Sequence, residues 1–346
     1  MATADLFDTR TMLAVLEQMK PPKSFLLDTF FSTVEQSTTR YIDIDIIKGK
    51  RRMAPFVSPR HEGQMVERLG YTTRSYQAPY VKPKMQFSAE DLLKKQPGDT
   101  IYSGGMTPIQ LASQVMGRDL AELQQQIARR MEWMAASALN GGVIAVEGEG
   151  VSDSIDFGML TSHKITSGIT LWGTSASAVP LTNLRTWRRL VAQDSGLVPD
   201  VCVMAHDVAD AFIATQQVKD YGVLNLMPVG VNVNFGNDIQ ASGAEQIGSL
   251  FGGGLRLYVY NEWYVDDNGV EQPMVPAKKL FLGSTRARAA RHYGLIQDLE
   301  AGDAAVPYFP KSWVVKDPSV RWLMVQSAPL VVPHQIDGFL VATALA

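Results

Sequence analysis

Apolar side chains recur at two different periods along this chain, and the changes of period mark its parts. Leu6, Met12, Leu13 and Leu16 fall at helical spacing until Pro21 and Pro22 end the turn. A Phe-rich stretch with Phe25, Phe30 and Phe31 follows. These residues are too few for a core of their own, so residues 1–40 are expected to form an arm that docks onto something else. At Tyr41 the period becomes two. Ile42, Ile44 and Ile46 face one way and Tyr41, Asp43 and Asp45 the other, which is the alternation of a half-buried strand. From Ala54 to Lys84 the sequence is extended, punctuated by prolines and by Gly63 and Gly70, with no helical stripe. A two-stranded hairpin is marginal in water unless another surface covers it, so this segment is expected to lie across a neighbouring molecule.

Helical spacing then returns. Thr107-Pro108-Ile109-Gln110 pairs a capping box with proline at the first helical position. Met116, Leu120, Leu123, Ile127, Met131, Met134 and Ala138 repeat at steps of four and three, and Gln124, Gln125, Arg129, Arg130 and Glu132 take the remaining faces. Asn140-Gly141-Gly142 supplies the stop. The spacing predicts about thirty residues of helix over 108–139, roughly 45 Å long, which needs support along its length.

Val143–Val146 and Ser154–Phe157 read as short strands, and the Gly/Ser/Thr-rich run from Thr161 to Ser177 as a crossing loop. A second unit begins with a helical stripe, Leu184, Trp187 and Val191, closed by Gly196. A strand at Val201–Ala205 and one helix opening near Asp207 and closing before Gly222 follow. Strands recur at Leu255–Tyr260 and Glu262–Val265, and Asn268-Gly269 marks a hairpin before the stretch leading to Leu280-Phe281-Leu282. The tail from Arg321, including Gly338-Phe339-Leu340-Val341, is again extended and is expected to return to the first unit's sheet. The class is α+β, in the sense of mixed α/β.

Composition narrows the function. A 46% hydrophobic content supports a sizeable core, and a net charge of −3, from 32 basic and 35 acidic residues, gives no general attraction to phosphate or acidic membranes. Lys48-Gly49-Lys50-Arg51-Arg52 lacks interleaved aromatics and reads as a solvated turn or a salt-bridging surface. Cys202, in the run Val201-Cys202-Val203-Met204, reads as a buried small hydrophobe, and one cysteine permits no internal disulfide, which fits a reducing compartment. No basic, apolar leader opens the chain, and no apolar run reaches the about 18 residues of a membrane span, so a soluble protein made in a cytosol is expected.

Phosphate loops, dinucleotide fingerprints, nucleophile elbows and zincin motifs are absent from the sequence. Gly252-Gly253-Gly254 leads into a strand and reads as a turn. His61, His163, His206, His292 and His334 are scattered without metal-ligand spacing, and the acidic set Glu147, Glu149, Asp153 and Asp156 fits no calcium loop. No catalytic, cofactor or metal residue is therefore expected.

Several blocks nevertheless match one family. Ala54-Pro55-Phe56-Val57-Ser58-Pro59 and Pro79-Tyr80-Val81-Lys82-Pro83-Lys84 resemble the extended-loop region of the lambda-like phage major capsid proteins, the major capsid protein E family. Leu282-Gly283-Ser284-Thr285-Arg286-Ala287-Arg288, Tyr293-Gly294, Ile296-Gln297-Asp298, Tyr308-Phe309-Pro310-Lys311-Ser312-Trp313, Asp317-Pro318 and Gln326-Ser327-Ala328-Pro329-Leu330 follow in the family's order.

The resemblance implies the Hong Kong 97-type capsid fold. Its parts here would be an N-terminal arm (1–40), an extended hairpin loop (41–100), a peripheral domain with a long spine helix (101–178), an axial domain (179–306) and a return to the peripheral domain (307–346). It implies a virion protein, assembled in the host cytoplasm into hexamers and pentamers of an icosahedral head around double-stranded DNA. Portal and scaffold would be partners during assembly, a small decoration protein a further one, and the packaged DNA would not be bound specifically. Inter-subunit contact is expected of Lys50, Arg51, Arg52, Phe56, Val57, Tyr80, Lys82 and Lys84. Two other readings stand beside this one: an encapsulin-type nanocompartment on the same fold, and a soluble α/β enzyme with a site built from scattered residues.

Overall fold

The structure is a computed structural model and describes residues 7–19, 24–39, 41–47, 53–54, 56–63, 65, 71–88, 108–166, 172–173, 177–224, 238–239, 243–302, 305–317 and 320–345. In chain order it begins with helices α1 (Thr9–Gln18) and α2 (Phe25–Phe30) and strand β1 (Thr33–Gln36). Strands β2 (Tyr41–Ile47), β3 (Tyr71–Gln77) and β4 (Lys84–Ser88) precede the long helix α3 (Pro108–Gly141). Next come β5 (Val143–Gly148), β6 (Val151–Asp156), β7 (Lys164–Ile165), α4 (Pro180–Ser195) and β8 (Val201–Met204). Helices α5 (His206–Ala214) and α6 (Gln216–Leu224) lead to β9 (Asp238–Ile239), β10 (Ala244–Leu250), β11 (Leu255–Tyr260), β12 (Trp263–Val265) and β13 (Glu271–Pro273). The remaining strands are β14 (Lys279–Gly283), β15 (Ala290–Tyr293), β16 (Phe309–Val315), β17 (Val320–Gln326), β18 (Pro329–Val332) and β19 (Phe339–Thr343).

The core is organised by a seven-stranded mixed sheet in the order β7-β19-β14-β8-β11-β10-β9. Its middle strands read as unbroken apolar runs, Phe339-Leu340-Val341-Ala342, Leu280-Phe281-Leu282 and Val201-Cys202-Val203-Met204, all buried. Such runs have no polar face to show to water and must be covered on both sides. Smaller sheets, β1-β15-β18 and β16-β17-β4, flank it, and β2-β3, β5-β6 and β12-β13 pair as hairpins.

α3 spans 34 residues, about 50 Å of helix. Its stripe from Met116 to Ala138 is buried and packs on α2, β5, β17, β18 and β19. It stops where the sequence says it should. Gly142 takes φ +73°, and a Cβ there would sit 2.7 Å from that of Met159, so only glycine fits.

The structure corrects four readings. First, the arm does not wait for an external partner: Met12, Leu16, Phe25, Leu26, Leu27, Phe30 and Phe31 are buried in the chain's own core. Phe25 rests against Tyr258 and Tyr260, and Phe30 meets Phe339 edge-on. Phe30 reaches this position because Gly283 leaves room, since a Cβ there would lie 2.7 Å from Phe30 Cε1. Second, Glu132 and Gln124 do not lie on a solvated face but are buried, 3% and 5% exposed.

Third, the single helix expected after Asp207 is two, broken at Thr215, whose hydroxyl donates back to the Phe212 carbonyl at 2.7 Å. The hairpin expected at Asn268-Gly269 is present, β12 pairing with β13 in the stretch that leads to Leu280-Phe281-Leu282, and that last run goes on to the large sheet. Fourth, the tail divides. β17 pairs with β4 beside the hairpin, but β19 enters the large sheet between β14 and β7, where its two-sided apolar run can be covered.

Candidate assembly surfaces

The hairpin β2–β3 runs in register from Tyr41 opposite Gln77 to Ile47 opposite Tyr71. It is pinned to the body at its base. Arg74 Nη1 and Tyr76 Oη both donate to the Asp156 carbonyl, at 2.7 and 2.6 Å, and Tyr76 meets Phe157 edge-on. Between the strands, the described part of 53–65 lies in water: Met53 is 89%, Phe56 101% and Met65 96% exposed. Val57 is also exposed. Lys50, Arg51 and Arg52 lie outside the described residues.

Residues 78–88 behave differently, since they rejoin the body. Val81 and Ser327 exchange main-chain hydrogen bonds at 2.8 and 2.9 Å, and β4 pairs with β17, Lys84 opposite Met324. Lys84 Nζ sits 4.8 Å from the Trp322 ring centroid and Lys82 Nζ 6.0 Å from that of Tyr80, both on the subunit's own aromatics. Tyr80 Oη donates to Gln326 Oε1. Burial first, and the neighbouring Asp298 second, push the Tyr80 phenol up to about 12, so it remains a donor.

Asp298 is the centre of that polar cluster. It accepts from Gln326 Nε2 at 2.8 Å, from the Glu300 N–H at 3.0 Å and from Lys311 Nζ at 3.0 and 3.1 Å. Burial alone would raise its carboxyl, but these donors outweigh burial and hold it below the usual range. Burial would likewise lower the Lys311 ammonium, and its bonds to Asp298 and Glu300 raise it instead. Blocks far apart in sequence, around Tyr80, Asp298, Lys311 and Gln326, thus become one fastening at the foot of the hairpin. Asp200 does the same for the large sheet, accepting from the Thr285 N–H and hydroxyl at 2.8 and 2.7 Å and from Arg256 at 3.3 Å.

A third fastening was illegible in the sequence. α2 has no side-chain N-cap of its own, so its first N–H groups need outside acceptors. Glu132 supplies them from α3: its carboxylate accepts from Leu26 N at 2.7 Å, Leu27 N at 3.1 Å and Tyr260 Oη at 2.8 Å. Burial pushes the Glu132 carboxyl up, against the three bonds that favour its charged form. The Tyr260 phenol is pushed up by burial and by the carboxylate. Arm, spine helix and large sheet meet at this one group.

Catalytic chemistry does not assemble among the described residues. Cys202 is buried and its thiol is pushed up by burial, as expected of a core side chain. A groove of about 400 Å³ between residues 79–83, α3 and β5 is lined by side chains such as Gln126, Arg130, Trp133 and Glu147, without a paired acid and base. His163 is buried and satisfied by the Phe339 carbonyl and Asp194. Among the described residues, Glu147, Glu149, Asp153 and Asp156 do not gather into a metal-binding group, but two of the scattered histidines meet. His292 Nε2 and His334 Nε2 lie 3.1 Å apart, with Glu35 beside His292. The expectation of isolated histidines fails at this pair.

A long buried helix, a mixed sheet and an exposed hairpin fastened at its foot make up the subunit of a phage shell, the Hong Kong 97-type fold. The chain belongs to the phage major capsid protein E family, which it matches over residues 8–344. It is 28% identical to the major capsid protein of Enterobacteria phage P21 over 353 residues, covering 97% of this chain and 98% of the relative. It is also 28% identical to that of Escherichia phage lambda over 342 residues, covering 96% and 98%. A prophage capsid protein structure from Escherichia coli CFT073 superposes with a TM-score of 0.74 at 20% identity, over 98% of this chain and 99% of that one. The capsid of Ralstonia phage GP4 gives 0.52 at 12% identity, over 91% and 88%. Family membership makes the chain a structural protein of the virion head and not an enzyme, and it favours the phage shell over the nanocompartment.

Proposed function

We propose that this protein builds an icosahedral head from hexamers and pentamers, and that the segment 53–65, with the basic cluster Lys50, Arg51 and Arg52 just before it in sequence, lies on a neighbouring copy. The observation that carries this is the near-complete exposure of Met53, Phe56 and Met65 within one short stretch. Large apolar side chains grouped in this way mark a surface that another molecule covers. Of the other expected contact residues, Tyr80, Lys82 and Lys84 also make contacts within the subunit, and the exposed Lys82 and Lys84 stay in the proposed contact set. The net charge of −3 suits a container for double-stranded DNA that does not grip its contents. Portal, scaffold and a small decoration protein complete the proposed set of partners.

The test is deletion of residues 53–65 from the full chain. Soluble, cooperatively melting protein that forms no shells in electron micrographs supports the proposal, and normal shells would sink it. Replacing Lys50, Arg51 and Arg52 together by Glu separates charge from apolar contact. Assembly at the ordinary rate in low salt would reduce the cluster to a solvated turn.

A further inference from the structure

Strand register brings Glu35, His292 and His334 together. β1 runs parallel to β15 with Glu35 opposite His292, and β15 runs antiparallel to β18, after which the turn returns His334 to His292. The two imidazoles meet edge to face, 5.2 Å between centroids, with their Nε2 atoms 3.1 Å apart. Glu35 Oε2 lies 3.7 Å from His292 Nδ1, and ligand atoms of all three residues fall within 4.8 Å of one another.

We propose that Glu35, His292 and His334 bind a divalent cation of the zinc class, which would clamp the arm strand β1 onto β15 and the turn after β18. Two imidazoles and one carboxylate are a donor set that suits Zn²⁺ and Co²⁺. Bonds of about 2.0–2.1 Å in a tetrahedral site place ligand atoms about 3.3 Å apart, so the two nitrogens need separate only slightly. Glu35 has further to move and the freedom to do so, being partly exposed on the edge strand of its sheet.

Arg288, with Nη2 3.9 Å from Glu35 Oε1, is the resident cation; its side chain is 66% exposed and can swing aside. Burial, aided by Arg288 and opposed by Glu35, lowers the His292 pKa. The competing account is a plain hydrogen bond between two neutral imidazoles.

The experiment uses the full-length, untagged chain, equilibrated with Zn²⁺ or Co²⁺ and passed through gel filtration. The expected result is about one retained metal per chain by elemental analysis and a tetrahedral Co²⁺ absorption band. Amide exchange in β1 should slow several-fold on adding Zn²⁺. His334→Asn should lower affinity at least about tenfold, since changes even to outer-shell partners cost that much. Glu35→Gln, on an edge strand, provides a second variant if the first misfolds. Metal retention no higher than in His334→Asn, an octahedral Co²⁺ spectrum or unchanged β1 exchange would overturn the proposal in favour of the hydrogen-bonded pair.

Discussion

The large sheet and the β2–β3 hairpin are both strands joined by backbone hydrogen bonds, but only one is finished within the chain. In the sheet, β8, β14 and β19 bury successive side chains on both faces. In the hairpin, Tyr41 and Asp43 point into water, and the segment it carries exposes Met53, Phe56 and Met65. On the function proposed above, one region answers to the stability of the subunit and the other to its association. Substitutions in the two should have separable consequences.

Phe281→Ala should have the largest effect on the fold. Phe281 is 1% exposed on β14, and emptying its site should cost about 3–5 kcal/mol. Chemical denaturation of unassembled protein would show it, and a loss under about 1 kcal/mol would mean that the sheet is not the centre of stability.

Glu132→Ala should come next. It strands the Leu26 and Leu27 N–H groups and the Tyr260 hydroxyl, for about 2–3 kcal/mol. Hydrogen exchange at residues 25–31 should rise sharply, while Glu132→Gln, which keeps an acceptor, should recover part of the protection.

The two anchoring carboxyls should give opposite pH slopes. Glu132 has a folded value above its ordinary 4.5, so the folded state binds the extra proton; stability is greatest below 4.5 and declines as pH rises through the folded value. Asp298 has a folded value below its ordinary 3.8, so its contribution is present above 3.8 and is lost as pH falls through the folded value. Urea melts across pH 3–7 on Glu132→Gln and Asp298→Asn should each remove one slope. Parallel curves would show that neither group is linked to folding.

Phe56→Ser with Met65→Ser should have the smallest effect on the chain, under about 0.5 kcal/mol in denaturation. The same pair should nevertheless abolish or greatly slow shell formation by light scattering. A destabilised subunit, or one that assembles normally, would erase the distinction between the two regions.

Periodic features were legible beforehand. The stripe from Met116 to Ala138, the glycine stop after it and the Asn268-Gly269 hairpin each follow from local rules, and the ordered blocks pointed to the right family. Illegible were the long-range polar partners. Glu132 sits among Arg129, Arg130 and other polar residues, so its spacing assigns it to solvent; its burial depends on Leu26 and Tyr260, 106 and 128 positions away. The meeting of His292 with His334 and the role of Asp298 are hidden for the same reason. Strand destination is equally non-local, because the apolar runs of β17 and β19 differ little, and only the pairing available to each separates them.

The place of β19 also sets a clock. Val341 pairs with Phe281 on one side and Lys164 on the other, so one edge of β14 stays open until synthesis has passed Thr343. Chains interrupted before Phe339 leave β14 without a partner on one side, a bare edge that cannot complete a subunit. A fragment that stops short keeps the hairpin's footing on β17 but lacks Phe339, the ring against which Phe30 and Phe31 of the arm pack, so the end of the chain is what seats its beginning.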